Sequence, residues 1–571
     1  MAGLPRVVLR AGWGGLVFLC RTSLVSVCTS LTYPVIEGKE IRVGRGAVAT
    51  EAAQAARIGA RMLERGGNAM DAAAAACLAC GVLIPYYVDI GGYACSGVVL
   101  ESASGKVWSL DSNSAAPAAA HASMYEVTEK IPGKVGVNEN EYYCSVKNDA
   151  NVYGPLAVAP PGFMGGVGML WEKWGRLRWS EIVEPSIALV QDGFPYGENA
   201  AEIERRLPII RQYEPTYRLL MPNGKLPHAT DIWHRVDLDK TLERLASAGW
   251  RDSYEGEIGR RIGDYVQSIG GVMTRDDMAA FRPRVGVPLE SSFRGAAVYG
   301  PILPNGSLSA MQILNMLDQF EPLLLGDVHY WHRLAEILKL AWRDRLDYLA
   351  DPDFVDVPVA RLLSRDYAAG RVEVLRNFPG YVDLLGSPQP TATSHGTANV
   401  SAADGEGNVV AVTLTQGNPF GTCVTVPGTG FTLAHGMCRF DPRPGRPNSV
   451  APGKRPLNNL GSMIIRLSDR DLAVGMQGGR RIISVIPQVT QRMIDFEMYP
   501  QEAATSPRIH TMGYEPVECE QSPPFPWEKE LRSMGHDVRP VSEVGRTVHV
   551  AELFHPTKTI VAGGSTFAAG L

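Results

Sequence analysis

The strongest constraint on the fold lies in one stretch at the start of the last third of the chain. Residues 397–416 read TANVSAADGEGNVVAVTLTQ, two apolar alternations on either side of a run of Asp, Gly, Glu and Asn. Alternation predicts strands and the polar run predicts a tight turn, so this stretch is expected to form an antiparallel hairpin. Further short strands are predicted downstream in SMIIRLSD, DLAVGMQ, HVAELFHP and TIVAGGS.

The first two thirds of the chain indicate helices instead. Apolar residues recur at helical spacing in residues 51–64 and again in residues 327–350. Asn68 is expected to cap the helix that follows the first of these. The helix-rich and strand-rich regions are predicted to form one α/β body, with the polar stretch 379–396 as the linker between them.

The composition excludes several classes of function. The chain has 571 residues with 55 basic and 60 acidic side chains, a net charge of −5 that offers no electrostatic basis for binding nucleic acid. Beyond residue 34 no apolar run approaches the 18 residues of a membrane span. The balance of 45% hydrophobic and 20% charged residues is that of a folded, enzyme-sized protein.

The cysteines and histidines do not show the spacing of a metal site. The nine cysteines are irregularly spaced, and Cys77 and Cys80, in an Ala-rich run, are expected to be small buried side chains. His329 and His332 are three residues apart on a predicted helix, but the sequence shows no third ligand. We therefore expect packing or capping histidines, with neither a metal site nor a cofactor.

Residues 1–34 differ from the rest of the chain. They contain three arginines and no acid, and their apolar run over residues 11–20 is too short to span a bilayer. A secretory signal, a mitochondrial presequence and an unstructured tail all remain open for this segment. A cytoplasmic location follows if the segment has no targeting function.

A candidate nucleophile lies at the Gly396–Thr397 junction. The sequence has no Gly-x-Ser-x-Gly elbow, Walker loop or His-Glu-x-x-His motif. Thr397 begins a predicted strand after the linker, and it becomes a nucleophile if the chain is cut before it. Its new α-amino group, with a reference pKa of about 8, would then act as the base. Taken alone, a threonine at the start of a strand is more often only a strand former.

Several further motifs accompany this threonine in order along the chain. They are GGNAMDAAAAA, DIGGYACSG, APPGFMGGVGMLWEKWG, EPSIALVQDGFPY, GGVMTRDDMAAFRP, the long helix from Asp327, APGKRPL and GMQGGRRII. Together with the hairpin they resemble the γ-glutamyltransferase family, N-terminal-nucleophile hydrolases that include cephalosporin acylases. The resemblance covers nearly the whole chain, from about Gly44 to Phe567.

The resemblance implies a fold and a processing event. The fold is a four-layer αββα sandwich of two stacked antiparallel sheets. The chain would cut itself at Gly396–Thr397 into a large chain, residues 35–396, and a small chain, residues 397–571. Both would contribute strands to both sheets, so residues 35–571 would form one interleaved catalytic unit and an obligate pair of chains.

The resemblance also implies the catalytic groups. Thr397 would attack an amide carbonyl and form an acyl-enzyme, with its own amine as the base. Thr415 would hydrogen-bond to the nucleophile and orient it. Backbone N–H groups of Gly478 and Gly479 would stabilise the oxyanion.

The substrate-binding positions depart from the family pattern. The family's glutamate-binding arginine aligns with Asn113, and the acid that holds the substrate α-amino group aligns with Arg439. Two residues that assist this acid align with Gly436 and Gly417, and a serine pair aligns with Asn458 and Asn459.

An arginine in place of that acid would repel an α-ammonium, which argues against a standard γ-glutamyl donor. His435, Arg439 and Arg480 instead favour a carboxylated or otherwise polar acyl group. For Arg480 a solvated surface position is equally open.

Three hypotheses follow. The first is a self-processing amide hydrolase or acyltransferase that acts on a small-molecule amide with a non-standard acyl group. The second is a scaffold that has lost catalysis together with its glutamate pocket. The third is a true glutathione-type γ-glutamyltransferase with a rearranged pocket. The retained set of Thr397, Thr415 and Gly478–Gly479 favours an enzyme over a scaffold.

Overall fold

The structure is a computed structural model that describes residues 35–128, 144–377, 396–521 and 526–571. These described residues form one compact unit. The predicted targeting segment and all but the last residue of the predicted linker lie outside the described residues. In the described part of the chain, no helix has both the length and the apolar character needed to cross a membrane.

The main sheet contains thirteen strands of the described chain. They are β1 Ile36–Val43, β2 Gly46–Thr50, β3 Ala94–Glu101, β4 Lys106–Asn113, β5 Arg284–Gly286, β6 Leu289–Phe293, β7 Ala296–Gly300, β8 Gly396–Asp404, β9 Val409–Gly417, β10 Met463–Arg466, β11 Arg470–Met476, β12 Val548–Phe554 and β13 Ile560–Gly570. Their order is β6-β7-β10-β11-β12-β13-β2-β8-β9-β3-β4-β5, with β1 paired to β13, and every pairing is antiparallel.

Sixteen α-helices of the described chain surround this sheet. They are α1 Ala53–Glu64, α2 Ala69–Leu83, α3 Phe163–Trp174, α4 Trp179–Asp192, α5 Glu198–Ile210, α6 Glu214–Leu220, α7 Leu238–Ala248, α8 Glu257–Ser268, α9 Arg275–Ala280, α10 Ser307–Leu317, α11 Val328–Tyr348, α12 Val359–Leu362, α13 Arg365–Asn377, α14 Arg481–Asp495, α15 Pro500–Thr505 and α16 Glu528–Ser533. Strands Ile509–His510, Val517–Glu520 and Val538–Val541 form a small separate sheet.

Two faces of each central strand are buried, which produces four layers. On β2, Ala47 and Ala49 belong to an apolar cluster that also holds Ala473 of β11 and Ala551 of β12. Val48, between them, faces the cluster formed with α2 and α3 instead. Because successive side chains on a strand point to opposite faces, one face packs on the other half of the sheet and one on helices.

The other half of the sheet shows the same alternation. Ile464 of β10 faces the middle layer, whereas Met463 and Ile465 face the cluster that holds α10, α11 and α14. The predicted αββα arrangement is confirmed. The two layers are nevertheless parts of one hydrogen-bonded ladder, because residues 560–564 of β13 pair with β12 and residues 567–570 pair with β2.

Both the large-chain and small-chain regions contribute to both layers. In one layer, β2, β3 and β4 of the large-chain region lie beside the hairpin β8–β9. In the other layer, β6 and β7 of the large-chain region lie beside β10, β11 and β12 of the small-chain region. The predicted hairpin is present as β8 and β9, joined by a turn at residues 405–408. The two predicted helices are present as α1 and α11, and Asn68 caps α2 through its side chain.

A buried ion pair within the large-chain region holds a loop of the small-chain region near the hairpin. Arg235 lies 2.7 Å from Asp89, and both side chains are at most 1% exposed. The second carboxylate oxygen of Asp89 accepts hydrogen bonds from the backbone N–H and the hydroxyl of Thr432. Arg235 also donates to the carbonyl of Gly430. The pair therefore anchors the loop at residues 430–432 to the segment after α2.

Replacing Arg235 with Leu should destabilise the protein by about 3–5 kcal/mol, because it leaves the Asp89 carboxylate buried without a cation. The control is Arg57→Leu, which breaks a pair with Glu37 whose side chains are 40% and 39% exposed. That exposed pair should contribute about 0–1 kcal/mol. Urea unfolding of both variants measures the difference, and equal small losses would contradict the prediction.

Candidate active site

The hairpin register places three of the predicted site residues in one row across the sheet. Thr397 lies opposite Thr415, Thr415 opposite Ala94, and Ala94 opposite Asn113, on β8, β9, β3 and β4. Residues directly opposite one another point to the same face of a sheet. At a spacing of about 4.8 Å per strand, Asn113 lies about 14 Å from Thr397 along this row.

The hydroxyl groups of Thr397 and Thr415 are in contact at the start of this row. Their oxygens are 3.0 Å apart, and both residues are buried. The Thr415 hydroxyl donates to the carbonyl oxygen of Gly396 and accepts from the backbone N–H of Gly417 at 2.9 Å. Because Thr415 has a single hydroxyl proton, which points to Gly396, the Thr397 hydroxyl must be the donor between the two threonines.

Gly478 and Gly479 form the connection between β11 and α14. Their carbonyls accept the first N–H groups of α14, from Arg481 at 3.1 Å and Ile482 at 3.2 Å. Gly479 has φ +55, a conformation that favours glycine. The preceding residue, Gln477, is held at both backbone groups, because its N–H donates to Thr547 and its carbonyl accepts from Arg546.

Glu51 connects the nucleophile strand to this loop. Its carboxyl accepts the backbone N–H of Asn399 at 3.0 and 2.9 Å and the Thr547 hydroxyl at 3.1 Å. Burial raises the pKa of Glu51 to about 8 and lowers the pKa of the neighbouring His549 to about 3. Neither residue was identified from the sequence, since neither belongs to a motif and only the tertiary structure brings them together.

The three candidate asparagines lie in one buried polar network. Asn113 donates from Nδ2 to the carbonyl of Pro456 at 2.7 Å, and its Oδ1 has no hydrogen-bond partner among the described residues. Asn458 donates to Asn305 at 3.0 Å, and Asn459 accepts from Arg345 at 2.6 Å. An uncharged amide with an unused acceptor thus occupies the position at which the resemblance implies a charged arginine.

His435 and Arg439 lie beside the row. The His435 ring packs against Gly417, two residues after Thr415. The Arg439 guanidinium is 5.9 Å from the centre of the Tyr93 ring, and the Tyr93 N–H donates to the carbonyl of Thr415 at 3.0 Å. His435 thus packs against a residue two positions after Thr415, and Arg439 lies over a tyrosine whose backbone N–H binds Thr415.

Arg480 differs from these two residues. It is only 3% exposed, which excludes the solvated surface position, and its Nη1 lies 2.9 Å from the sulfur of Met512. Met512 packs against the apolar cluster on the α14 side of the sheet.

One cluster of the described residues has the composition of a metal site. It consists of His332, Glu336 and His536, whose ligand atoms lie within 4.8 Å of one another. The ammonium of Lys339 lies 2.7 Å from Glu336 and 2.7 Å from Glu515 in the same buried cluster. Lys339 therefore already occupies the space beside both carboxylates, and a metal ion at this site would compete with it. His329 lies exposed and outside the cluster.

A threonine at the start of a central strand, facing a second hydroxyl in an αββα sandwich, is the arrangement typical of N-terminal-nucleophile hydrolases. The family model of γ-glutamyltranspeptidase matches residues 55–566. The chain belongs to the γ-glutamyltranspeptidase family, and it is an enzyme of the amide hydrolase and acyltransferase type.

Individual relatives agree with this assignment. The acylase ACY 1 proenzyme of Pseudomonas sp. (strain SE83) is 34% identical over 548 residues, 94% of each chain. The glutathione hydrolase proenzyme of Escherichia coli (strain K12) is 29% identical over 489 residues, 82% of this chain and 81% of that one. The crystal structure of cephalosporin acylase from Bacillus halodurans has a TM-score of 0.81 at 26% identity, covering 95% of this chain and 98% of that chain.

Replacing Gly417 with Ala should cost about 2–5 kcal/mol of stability. A Cβ at this position would lie 1.9 Å from His435 Nε2, and the residue has φ +86, so overpacking adds to left-handed strain. Gly445→Ala is the control, because it has φ +77 but open space around its Cβ, and it should lose only about 1–2 kcal/mol. Urea unfolding measures both losses, and equal losses would show that His435 does not constrain this position.

Proposed function

We propose that this protein is a proenzyme that cleaves its own Gly396–Thr397 bond and then hydrolyses or transfers acyl groups from small-molecule amides through an acyl-enzyme on Thr397. We further propose that the preferred acyl group bears a carboxylate and lacks an α-ammonium. The observation that carries the proposal is the contact of the Thr397 hydroxyl with Thr415, whose own proton is directed at the Gly396 carbonyl.

This contact supplies the groups that self-cleavage needs. The Thr397 oxygen attacks the Gly396 carbonyl carbon while its proton passes to Thr415. Thr415 in turn donates its proton toward the carbonyl oxygen, where negative charge develops. When the C–N bond breaks, the proton on the former carbonyl oxygen returns through Thr415 to the leaving nitrogen and the C=O bond re-forms, which leaves an ester between Gly396 and the Thr397 oxygen. Water then hydrolyses this ester. The products are a carboxylate on Gly396 and a free amine on Thr397.

The same groups then act on a substrate amide. The free amine of Thr397, with a reference pKa of about 8, takes the hydroxyl proton as the oxygen attacks the amide carbonyl. The N–H groups of Gly478 and Gly479 are the proposed donors to the oxyanion. The amine leaves with the proton, and water or a second amine resolves the acyl-enzyme. The nucleophile, the base and the oxyanion donors of this reaction all belong to the protein.

The side chains near the row support a carboxylated acyl group. Arg439 supplies positive charge beside Tyr93, whose backbone N–H donates to Thr415. A carboxylate would be attracted to this guanidinium, whereas an α-ammonium would be repelled by it. Asn113, with its unused Oδ1, offers a hydrogen-bond acceptor further along the row.

Self-cleavage predicts two chains under denaturing conditions. Wild type should yield a fragment starting at Thr397 of about 19 kDa, in proportion to its share of the 571 residues and 61.9 kDa. Thr397→Ala should remain intact because it lacks the attacking oxygen, and Thr397→Ser should be cleaved.

Thr415→Val, which keeps the shape but removes the hydroxyl, should slow cleavage by about 10²–10³-fold. Intact-mass measurement follows all four proteins. An uncut wild type that is folded would favour the scaffold hypothesis.

The acyl preference can be tested with two anilides that differ only in the α-ammonium, glutaryl-p-nitroanilide and γ-glutamyl-p-nitroanilide. We expect kcat/KM to favour the glutaryl substrate by about tenfold or more, since each 1.4 kcal/mol of repulsion is about tenfold. Arg439→Asp should reverse this preference, and Arg443→Asp is the control at a nearby arginine that pairs with Asp441. Faster turnover of the γ-glutamyl substrate by wild type would instead support a glutathione-type transferase.

A further inference from the structure

Glu51 and His549 lie side by side in the interior, on two different layers of the sandwich. Glu51 follows β2, His549 is on β12, and Glu51 Oε1 is 3.4 Å from His549 Nδ1. The side chains are 3% and 0% exposed. Neither residue takes part in the reaction proposed above.

The hydrogen bonds around His549 determine which nitrogen carries its proton. The Thr566 hydroxyl donates its only proton to the carbonyl of Thr50 at 3.0 Å. It must therefore accept from His549 Nε2, which lies 2.8 Å away. In the neutral ring, Nδ1 then presents a lone pair to the Glu51 oxygen. Two acceptors can face each other in a buried site only if a proton lies between them.

The same carboxyl holds together the two halves of the proposed catalytic machinery. It accepts the N–H of Asn399, two residues after Thr397 on β8. It also accepts the hydroxyl of Thr547, whose carbonyl binds the N–H of Gln477, the residue before Gly478. One side chain thus links the nucleophile strand to the loop of the proposed oxyanion donors.

We propose that Glu51 and His549 share one proton and that this protonated pair positions Thr397 against the Gly478–Gly479 loop. Both are positioning residues, since they act through Asn399 and Thr547. The inference rests on the proposed function and adds a pH dependence to it.

Among the groups that surround Glu51 and His549, the shared proton is the one that is lost as the pH rises. The thiols of Cys77 and Cys80 on α2 face Glu51, and burial raises the pKa of both, so they stay neutral. Within the described part of the chain, no lysine or arginine forms an ion pair with either Glu51 or His549. Loss of the proton at alkaline pH would leave a bare carboxylate against a lone pair, and the repulsion would separate the two elements that Glu51 connects.

The decisive variant is Glu51→Gln. The new amide can donate one N–H to His549 Nδ1 and the other to the Thr547 oxygen, while its carbonyl still accepts from Asn399, so all three contacts are kept at every pH. For wild type we expect kcat on the preferred anilide to fall above about pH 8, tenfold per pH unit, with little change in KM. In Glu51→Gln, the fall in kcat at acid pH (the acid limb), which reports protonation of the Thr397 amine, should remain. The fall in kcat at alkaline pH (the alkaline limb) should disappear.

Glu552→Gln is the matched control. Glu552 is also a buried acid on β12, with a pKa raised by burial to about 7, but it pairs with Arg470. This variant should retain the alkaline limb of wild type. An alkaline limb that is unchanged in Glu51→Gln would overturn the proposal while leaving self-cleavage and turnover intact.

A second measurement does not depend on activity. The folded state binds the Glu51 proton more tightly than the unfolded state, because the pKa rises from 4.5 to about 8. Stability should therefore decline as pH rises through this window. Between about pH 7 and 8, where Glu51 binds more of the remaining proton than Glu552, Glu51→Gln should remove most of the decline in the thermal unfolding midpoint and Glu552→Gln should retain most of it.

The two readouts separate failure of this inference from failure of the proposed function. If wild type neither cleaves nor turns over, the proposed function fails, and the stability profile alone decides whether the proton is shared. A profile that Glu51→Gln leaves unchanged overturns the shared proton. If Glu51→Gln does not fold, His549→Phe removes the acceptor instead and should move the alkaline limb to lower pH, and an unmoved limb overturns the proposal.

Discussion

The register in which β8 pairs with β9 determines the rest of the site. Thr397 meets Thr415 only because they are directly opposite, and a slip of one residue would move Thr397 to the other face of the sheet. Asp404 pins this register at the far end of the hairpin. Its carboxylate accepts N–H groups from Glu406 and Asn408 in the turn and from Ala69 at the start of α2. The turn that aligns the threonines is thereby attached to the helix layer.

Two buried carboxylates near this hairpin are neutralised in different ways. Asp89 is paired with Arg235, and the pair ties two distant segments together. Glu51 lies beside the neutral imidazole of His549 and two buried thiols, so burial favours its protonated form. Asp89 is thus anchored by an ion pair, whereas Glu51 is anchored by a shared proton and therefore depends on pH. The second kind lies between the nucleophile strand and the oxyanion loop, where a change of position alters the reaction.

Local patterns predicted the elements well, because each depended on side chains close in sequence. Alternating apolar residues and the polar turn predicted β8 and β9, and helical spacing predicted α11, which ends two residues before the expected end. The αββα layers followed from the family resemblance. Local patterns did not show that the two layers form one ladder, because that depends on β13 pairing first with β12 and then with β2.

The sequence by itself determined the hairpin, the candidate nucleophile at its start and the family to which the chain belongs. Only the tertiary structure decided which side chains meet around that nucleophile. Arg480 is buried against Met512, and Glu51 meets His549 across 498 positions of sequence. The physical reason is that strand and turn preferences act between near neighbours. The neighbours of a buried polar group are chosen instead by how the layers pack and by the requirement that every buried proton has an acceptor.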